Sequence, residues 1–162
     1  MIESWEKIID PNFINAELIG EVGAEKVVTI KDIDYMDMYD DKTHSKVKKQ
    51  ALVLEECKPL VLNKTNAKTL KKLFSPNEDR PEACVGHKVT MYVVSVKVGG
   101  KQTTGIRLKE FSEEKCPVCG KIILPYAGKS VEQIKDISQR NLGQVMCGVC
   151  MSSKAKEKQD GK

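Results

Sequence analysis

The stretch Pro59-Leu60-Val61-Leu62-Asn63-Lys64-Thr65-Asn66-Ala67-Lys68-Thr69-Leu70-Lys71-Lys72-Leu73-Phe74 changes its hydrophobic period halfway along. Residues 59–62 are a short apolar run of strand length, bounded by Lys58 and Asn63. Beyond them Ala67, Leu70, Leu73 and Phe74 recur at helical spacing with lysines opposite, and Asn63 or Thr65 can cap the N-terminus. The spacing predicts a helix over about 64–74. Two strands are expected before it, over 21–39 and 46–56. After the polar loop 75–81 comes a hairpin of strands 88–98 and 101–111, joined by Gly99-Gly100. The order β-β-β-α-β-β is that of a five-stranded OB barrel, whose helix lies between strands three and four. The alternative is another small α+β sheet with the same element order.

Within the first strand the alternation changes phase between Tyr35 and Met36, because Met36 and Met38 take the other parity, and this predicts a β-bulge there. Residues 40–45 read as a polar turn. Residues 1–20 form a lead-in, where Trp5, Ile8 and Ile9 make one edge of a short helix that Pro11 ends. In the last strand Thr104, Ile106 and Leu108 share one face, and Thr103, Gly105, Arg107 and Lys109 the other.

A second unit is expected over 113–152, with a basic flexible tail over 153–162. Cys116-Pro117-Val118-Cys119-Gly120 and Cys147-Gly148-Val149-Cys150 are two CxxC pairs with 27 residues between them. Each pair can hold two thiolates about 4 Å apart, as tetrahedral zinc–sulfur bonds require. Four thiolates with no open position predict one structural zinc held by Cys116, Cys119, Cys147 and Cys150 in a zinc-ribbon or treble-clef-like module. Pro117 stiffens the first knuckle, and Gly120 permits a positive φ after its second sulfur. Between the pairs, Val131, Ile134 and Ile137 follow an N-cap Ser130 and precede Gly143, which predicts a helix of about three turns. Redox-active pairs, disulfides and an iron–sulfur cluster are the alternatives. No thioredoxin-like βαβ pattern surrounds either pair, and zinc is the simpler reading of a CPxCG knuckle.

The 162 residues suit one domain of about 100 residues plus a small module. No apolar run approaches the roughly 20 residues of a membrane span. The first ten residues carry Glu3 and Glu6 and lack the apolar core of a secretory signal, so a reducing, cytoplasmic location is expected. The net charge of +4 hides an asymmetry: residues 1–43 hold eleven acids and four lysines, a net of −7, which leaves +11 for the remainder. A segregated basic surface is the footprint of a polyanion binder.

No catalytic set stands out, and no enzyme activity is expected. His44 and His87 lack partner residues, and there is no Walker A loop and no HExxH. The Asp32, Asp34, Asp37, Asp40 and Asp41 series has no paired motif and reads as a solvated strand edge. Cys57 and Cys84 read as small buried hydrophobes.

OB barrels bind single strands across strands two and three, between the loops that join strands one to two and four to five. Those positions hold Lys42, His44, Lys46, Lys48 and Lys49, then Lys97, Lys101 and Gln102, with Arg107 on the adjacent strand. Tyr35 and Tyr39 are the candidate stacking rings, and Tyr92, in phase with Val94 and Val96, is a third that parity assigns to the core. The nucleic-acid contacts expected are Tyr35, Lys46, Lys48, Lys49, Lys97, Lys101 and Arg107.

From Lys58 to Lys68, continued by Gly86-His87-Lys88-Val89 and Gly105-Ile106-Arg107, the chain resembles small OB-fold proteins encoded by phages and prophages of Gram-positive bacteria. The likeness covers about residues 13–112. The Cys-x-x-Cys-Gly-Lys-Ile-Ile segment and the Gly143-Gln144-Val145-Met146-Cys147 ending are similar to zinc modules of the same proteins. The family often has an aromatic before the Gly-x-Lys step, where this chain has Cys84 and Val85. The resemblance implies single-stranded-DNA binding in replication or recombination, with a protein of that machinery as a possible partner. The competing function is a protein-interaction adaptor that docks through the barrel and the zinc module.

Overall fold

In a computed structural model, residues 12–40 and 43–160 are described. The helix expected about Trp5, Ile8 and Ile9, and positions Asp41 and Lys42 of the first turn, lie outside them. Five strands form one antiparallel sheet: β1 (Glu25–Asp40), β2 (Ser45–Leu54), β3 (Leu60–Val61), β4 (Lys88–Val98) and β5 (Lys101–Glu110). Their order is β3-β2-β1-β4-β5. Three helices accompany them: α1 (Lys64–Phe74), α2 (Val131–Leu142) and α3 (Gly148–Asp160).

β1 serves two neighbours in turn. Residues 25–29 pair with β4 and residues 30–40 with β2. Between the two, the register steps from Ile30↔Leu54 to Asp32↔Val53 and skips Lys31. That bulge flips the parity, so Val28 and Ile30 face the core before it and Ile33 packs there after it. The phase change expected at Tyr35–Met36 thus falls at Lys31. Met36 and Met38 are half-buried on the other face, opposite Lys49 and Val47, and mark no change of phase. Contacts on both sides fix the bulge. Glu56 accepts from the Thr29 amide and hydroxyl, both at 2.7 Å, and the Ile30 carbonyl accepts from the Gly86 amide at 2.7 Å.

The inner face closes over Val28, Ile30, Leu52, Leu54, Leu60, Val89, Met91, Val93, Ile106 and Leu108. Helix α1 occupies its expected span, with Asn63 capping the Asn66 amide at 2.9 Å. The inward residues are Asn66 and Leu70, whereas Ala67 is exposed. Asn66 is buried because its side-chain amide donates to the Ile106 carbonyl of β5 at 3.1 Å. No ladder joins β3 to β5 among the described residues, so the sheet is open, and α1, which follows β3 and bonds to β5, spans the gap. Gly99 and Gly100 both have positive φ, 56° and 82°, as a two-residue primed hairpin turn requires.

A second, smaller core holds Cys116, Ile123, Ile134, Met146 and Cys147. Helix α2 starts with a reciprocal capping box between Ser130 and Gln133 and ends at Gly143, φ 75°. The segment from 153, expected as a flexible tail, continues α3 through Asp160. Among the described residues no helix is long and apolar enough to cross a membrane.

Candidate metal centre and exposed sheet faces

The first knuckle is a tight turn closed by its own backbone. The Cys116 amide donates to the Lys121 carbonyl at 2.7 Å, and the Gly120 amide returns to the Cys116 carbonyl at 2.8 Å. Gly120 has φ 72°, a left-handed conformation that a β-carbon would strain. The second knuckle is the start of α3, where the Met151 amide donates to the Cys147 carbonyl at 2.9 Å. The Cys147 amide donates to Cys116 Sγ at 3.2 Å and so joins the two knuckles. The result is four sulfurs within 4.8 Å of one another, a group able to hold a metal ion.

The thiols of such a cluster cannot ionise independently. Burial opposes ionisation of Cys116, yet amide donors from Cys147, Cys119 and Val118 outweigh it and bring the thiol down to about 6. Hydrogen bonds with Cys119 and Cys147, followed by burial, push Cys150 up to about 12. Crowded sulfurs share protons until a cation replaces them, as thiolate ligation requires.

Three residues outside the CxxC pairs hold this centre. Ser138 Oγ, on α2 and fully buried, accepts from the Met146 amide at 3.1 Å and donates to the Lys135 carbonyl at 3.0 Å, which fixes the chain immediately before Cys147. Tyr126 packs its ring directly against Gly148. Glu25, on β1, accepts from the Val131 amide at the start of α2 (3.2 Å) and pairs with Lys109 of β5, so it fastens the cysteine unit to the sheet. The sequence carries no signal for Glu25. The positions of Ser138 and Tyr126 near the knuckles were visible, but their roles depend on contacts eight and 22 residues away.

The register distributes the other candidate residues over two arms. β1 runs from the β4–β5 hairpin toward the β1–β2 turn, so Lys97 and Lys101 lie past one end of it and Lys46 near the other. On the β1–β2 arm, Tyr35↔Gln50, Asp37↔Lys48 and Tyr39↔Lys46 share one face, and Lys49, opposite Met36, belongs to the reverse face. Tyr35 and Tyr39 are 61% and 57% exposed, and the Gln50 amide donates to Tyr35 Oη at 3.1 Å. Arg107 is half-buried opposite Tyr92, away from the inner face of β4 and β5. Tyr92 is half-buried on that same side, with Lys109 Nζ 5.5 Å from its ring centroid, and is not in the core. Lys97 is in phase with the inner face, and Lys101 with the Arg107 side.

Compared with protein-family models, curated proteins and solved structures, the chain matches none of them.

Proposed function

We propose that this chain is a non-enzymatic single-stranded nucleic-acid-binding protein, with single-stranded DNA as its ligand, built on an OB-type sheet and stapled by one structural zinc. The observation that carries the reading is the exposed face of the β1–β2 arm, where Tyr35 and Tyr39 alternate with Asp37 and lie across from Gln50, Lys48 and Lys46. Rings four residues apart on one strand face, bordered by ammonium groups, combine base stacking with phosphate attraction. The strand order and a helix spanning the gap between the third and fifth strands support a partly open OB barrel. The phage resemblance adds DNA replication or recombination in the cytoplasm as the setting.

Zinc is supported by the sulfur spacing. Four bonds of 2.3 Å in a tetrahedron place ligand sulfurs about 3.8 Å apart, and Cys119 and Cys147 Sγ stand at 3.7 Å. A multi-iron cluster spreads its thiolates around several metal atoms and suits that spacing less well. Four thiolates leave no position for substrate, so the ion would cross-link the two knuckles and take no part in chemistry.

Fluorescence anisotropy with a labelled oligo(dT), titrated over a salt series, tests the reading. If about four phosphates are neutralised, log affinity falls against log salt with a slope near −3. Tyr35→Ala with Tyr39→Ala should weaken binding at unchanged slope, at about 1–3 kcal/mol per stacked base. Lys48→Ala should flatten the slope, and Lys49→Ala, on the reverse face, should do so less. No binding at low salt would transfer the chain to the adaptor class.

A further inference from the structure

Where the inner face of β1 and β2 runs out, α1 stands off from it and leaves a cavity of about 270 Å³. Its walls are apolar: Ile33 and Leu62 from the sheet side, Leu70 and Phe74 from the helix. Its rim carries Lys64, Lys68 and Lys71, one on each successive turn of α1. Lys71 is occupied by Asp79 at 3.2 Å. Lys64 and Lys68 have no ion-pair partner among the described residues, and Asp79 is the one acid in the lining.

We propose that this groove is a docking site for an acidic, amphipathic segment of a protein partner, which seats an apolar side chain between Phe74 and Ile33 and sets carboxylates against Lys64 and Lys68. Charge decides the occupant's sign, because Lys64 and Lys68, unpaired among the described residues, flank an apolar slot that contains a single, already paired carboxylate. Size decides its class. Small-molecule sites run to roughly 300–1,000 Å³, so this cavity suits one or two side chains of a longer segment better than a whole ligand. The slot reaches Gln50, the cross-strand partner of Tyr35, while Tyr39 and Lys46 lie farther along the arm, so the segment and a nucleic-acid strand would adjoin at that one pair.

The test uses the full chain and a fluorescein-labelled synthetic helix-forming peptide, rich in Glu and carrying Leu and Phe three positions apart. A counterpart with every Glu replaced by Lys is the control. The acidic peptide should bind and the basic one should not. Ala67 is exposed and lines the slot, so Ala67→Trp fills it without touching the sheet core. That variant should bind the peptide at least roughly tenfold more weakly, the cost of losing one buried apolar side chain, and should bind oligo(dT) as before. Lys64→Gln with Lys68→Gln should weaken the peptide roughly fivefold, as expected for two exposed charge contacts. An unchanged thermal transition in each variant keeps the comparison free of misfolding. Failure of the acidic peptide to bind, equal binding of the basic peptide, or indifference to Ala67→Trp overturns the proposal. So does dodecanoate saturating a groove that refuses the peptide, which would assign the slot to a fatty acid. Peptide binding that appears only when residues 1–11 are deleted overturns it in favour of this chain's own N-terminal segment.

Discussion

A β-carbon added to Gly148 would stand 2.3 Å from Cγ of Tyr126 and 2.5 Å from its Cβ, near the root of that side chain, where a rotamer change gives little relief. Gly148→Ala therefore has to displace either Tyr126 or the second knuckle. Overpacking of this kind costs about 1–3 kcal/mol, and here it should also loosen metal binding, because Cys147 precedes the glycine. Thermal unfolding of the metal-loaded protein is the measurement. Adding Tyr126→Ala should recover part of the loss, since contacting residues couple; additive losses would mean that the ring is not the obstacle. Glu56 gives a second residue-scale prediction. Partial burial opposes its charge, but the Thr29 hydroxyl and amide outweigh that and hold its carboxyl below the usual range. A lowered folded pKa contributes stability that is present above the unfolded value and lost as pH falls through the folded one. Glu56→Gln should therefore flatten the acid limb of the stability–pH curve, below about pH 5. An unchanged acid limb would remove Glu56 from the bulge's support.

The capping box of α2 and the Ser138 bridge make helix α2 the element on which the cysteine centre is built. Ser138→Ala orphans the buried Met146 amide, a loss of about 1–3 kcal/mol. It should reduce metal affinity more than Ser130→Ala does, because the cap lies at the far end of the helix and a cap is worth about 1 kcal/mol. Competition with a zinc-binding dye orders the two, and the reverse order would separate Ser138 from the centre. Elements of this kind were legible in the sequence where local periodicity and turn chemistry agree. Asn63 with the 3.6-residue recurrence located α1, Gly99-Gly100 located the β4–β5 turn, and Ser130 with Gly143 bracketed α2. The bulge was misplaced because Met36 and Met38 fit an inward phase as well as the outward one they adopt. Only the cross-strand register, a long-range property, separates the alternatives. The same limit applies to the lysines. Spacing grouped Lys46, Lys48 and Lys49, and pairing with Tyr39, Asp37 and Met36 divides them between two faces. Asn66 took a core position that a polar residue does not advertise, because its partner, the Ile106 carbonyl, lies 40 residues away.

At the scale of the molecule, two hydrophobic cores share no residue: one lies within the sheet and under α1, the other around Cys116, Ile123, Ile134 and Met146. What joins them includes Glu25, its side chain 5% exposed, held between Lys109 and the Val131 amide. The smaller core has five buried members, two of them cysteines of the cluster, too few to order the unit without a cross-link. The sheet's core depends on no cysteine of the cluster. Removal of metal should therefore unfold the cysteine unit and leave the sheet folded, so the metal-loaded chain should melt in two steps and the chain treated with a strong chelator in the sheet's step alone. Thiol titration supplies the sharper readout. Cys116, Cys119, Cys147 and Cys150 should become rapidly reactive in the chelated protein, while Cys84, buried in the sheet's core with its thiol donating to the Pro81 carbonyl at 3.2 Å, stays slow. Glu25→Gln tests the joint from the other side. It weakens the charged contact to Lys109 and the acceptor for the Val131 amide, so it should lower the temperature of the metal-dependent step and leave the sheet's step in place. Simultaneous exposure of Cys84 on chelation would instead make the two cores one cooperative unit, with the Glu25 contact far stronger than a single partly exposed ion pair allows.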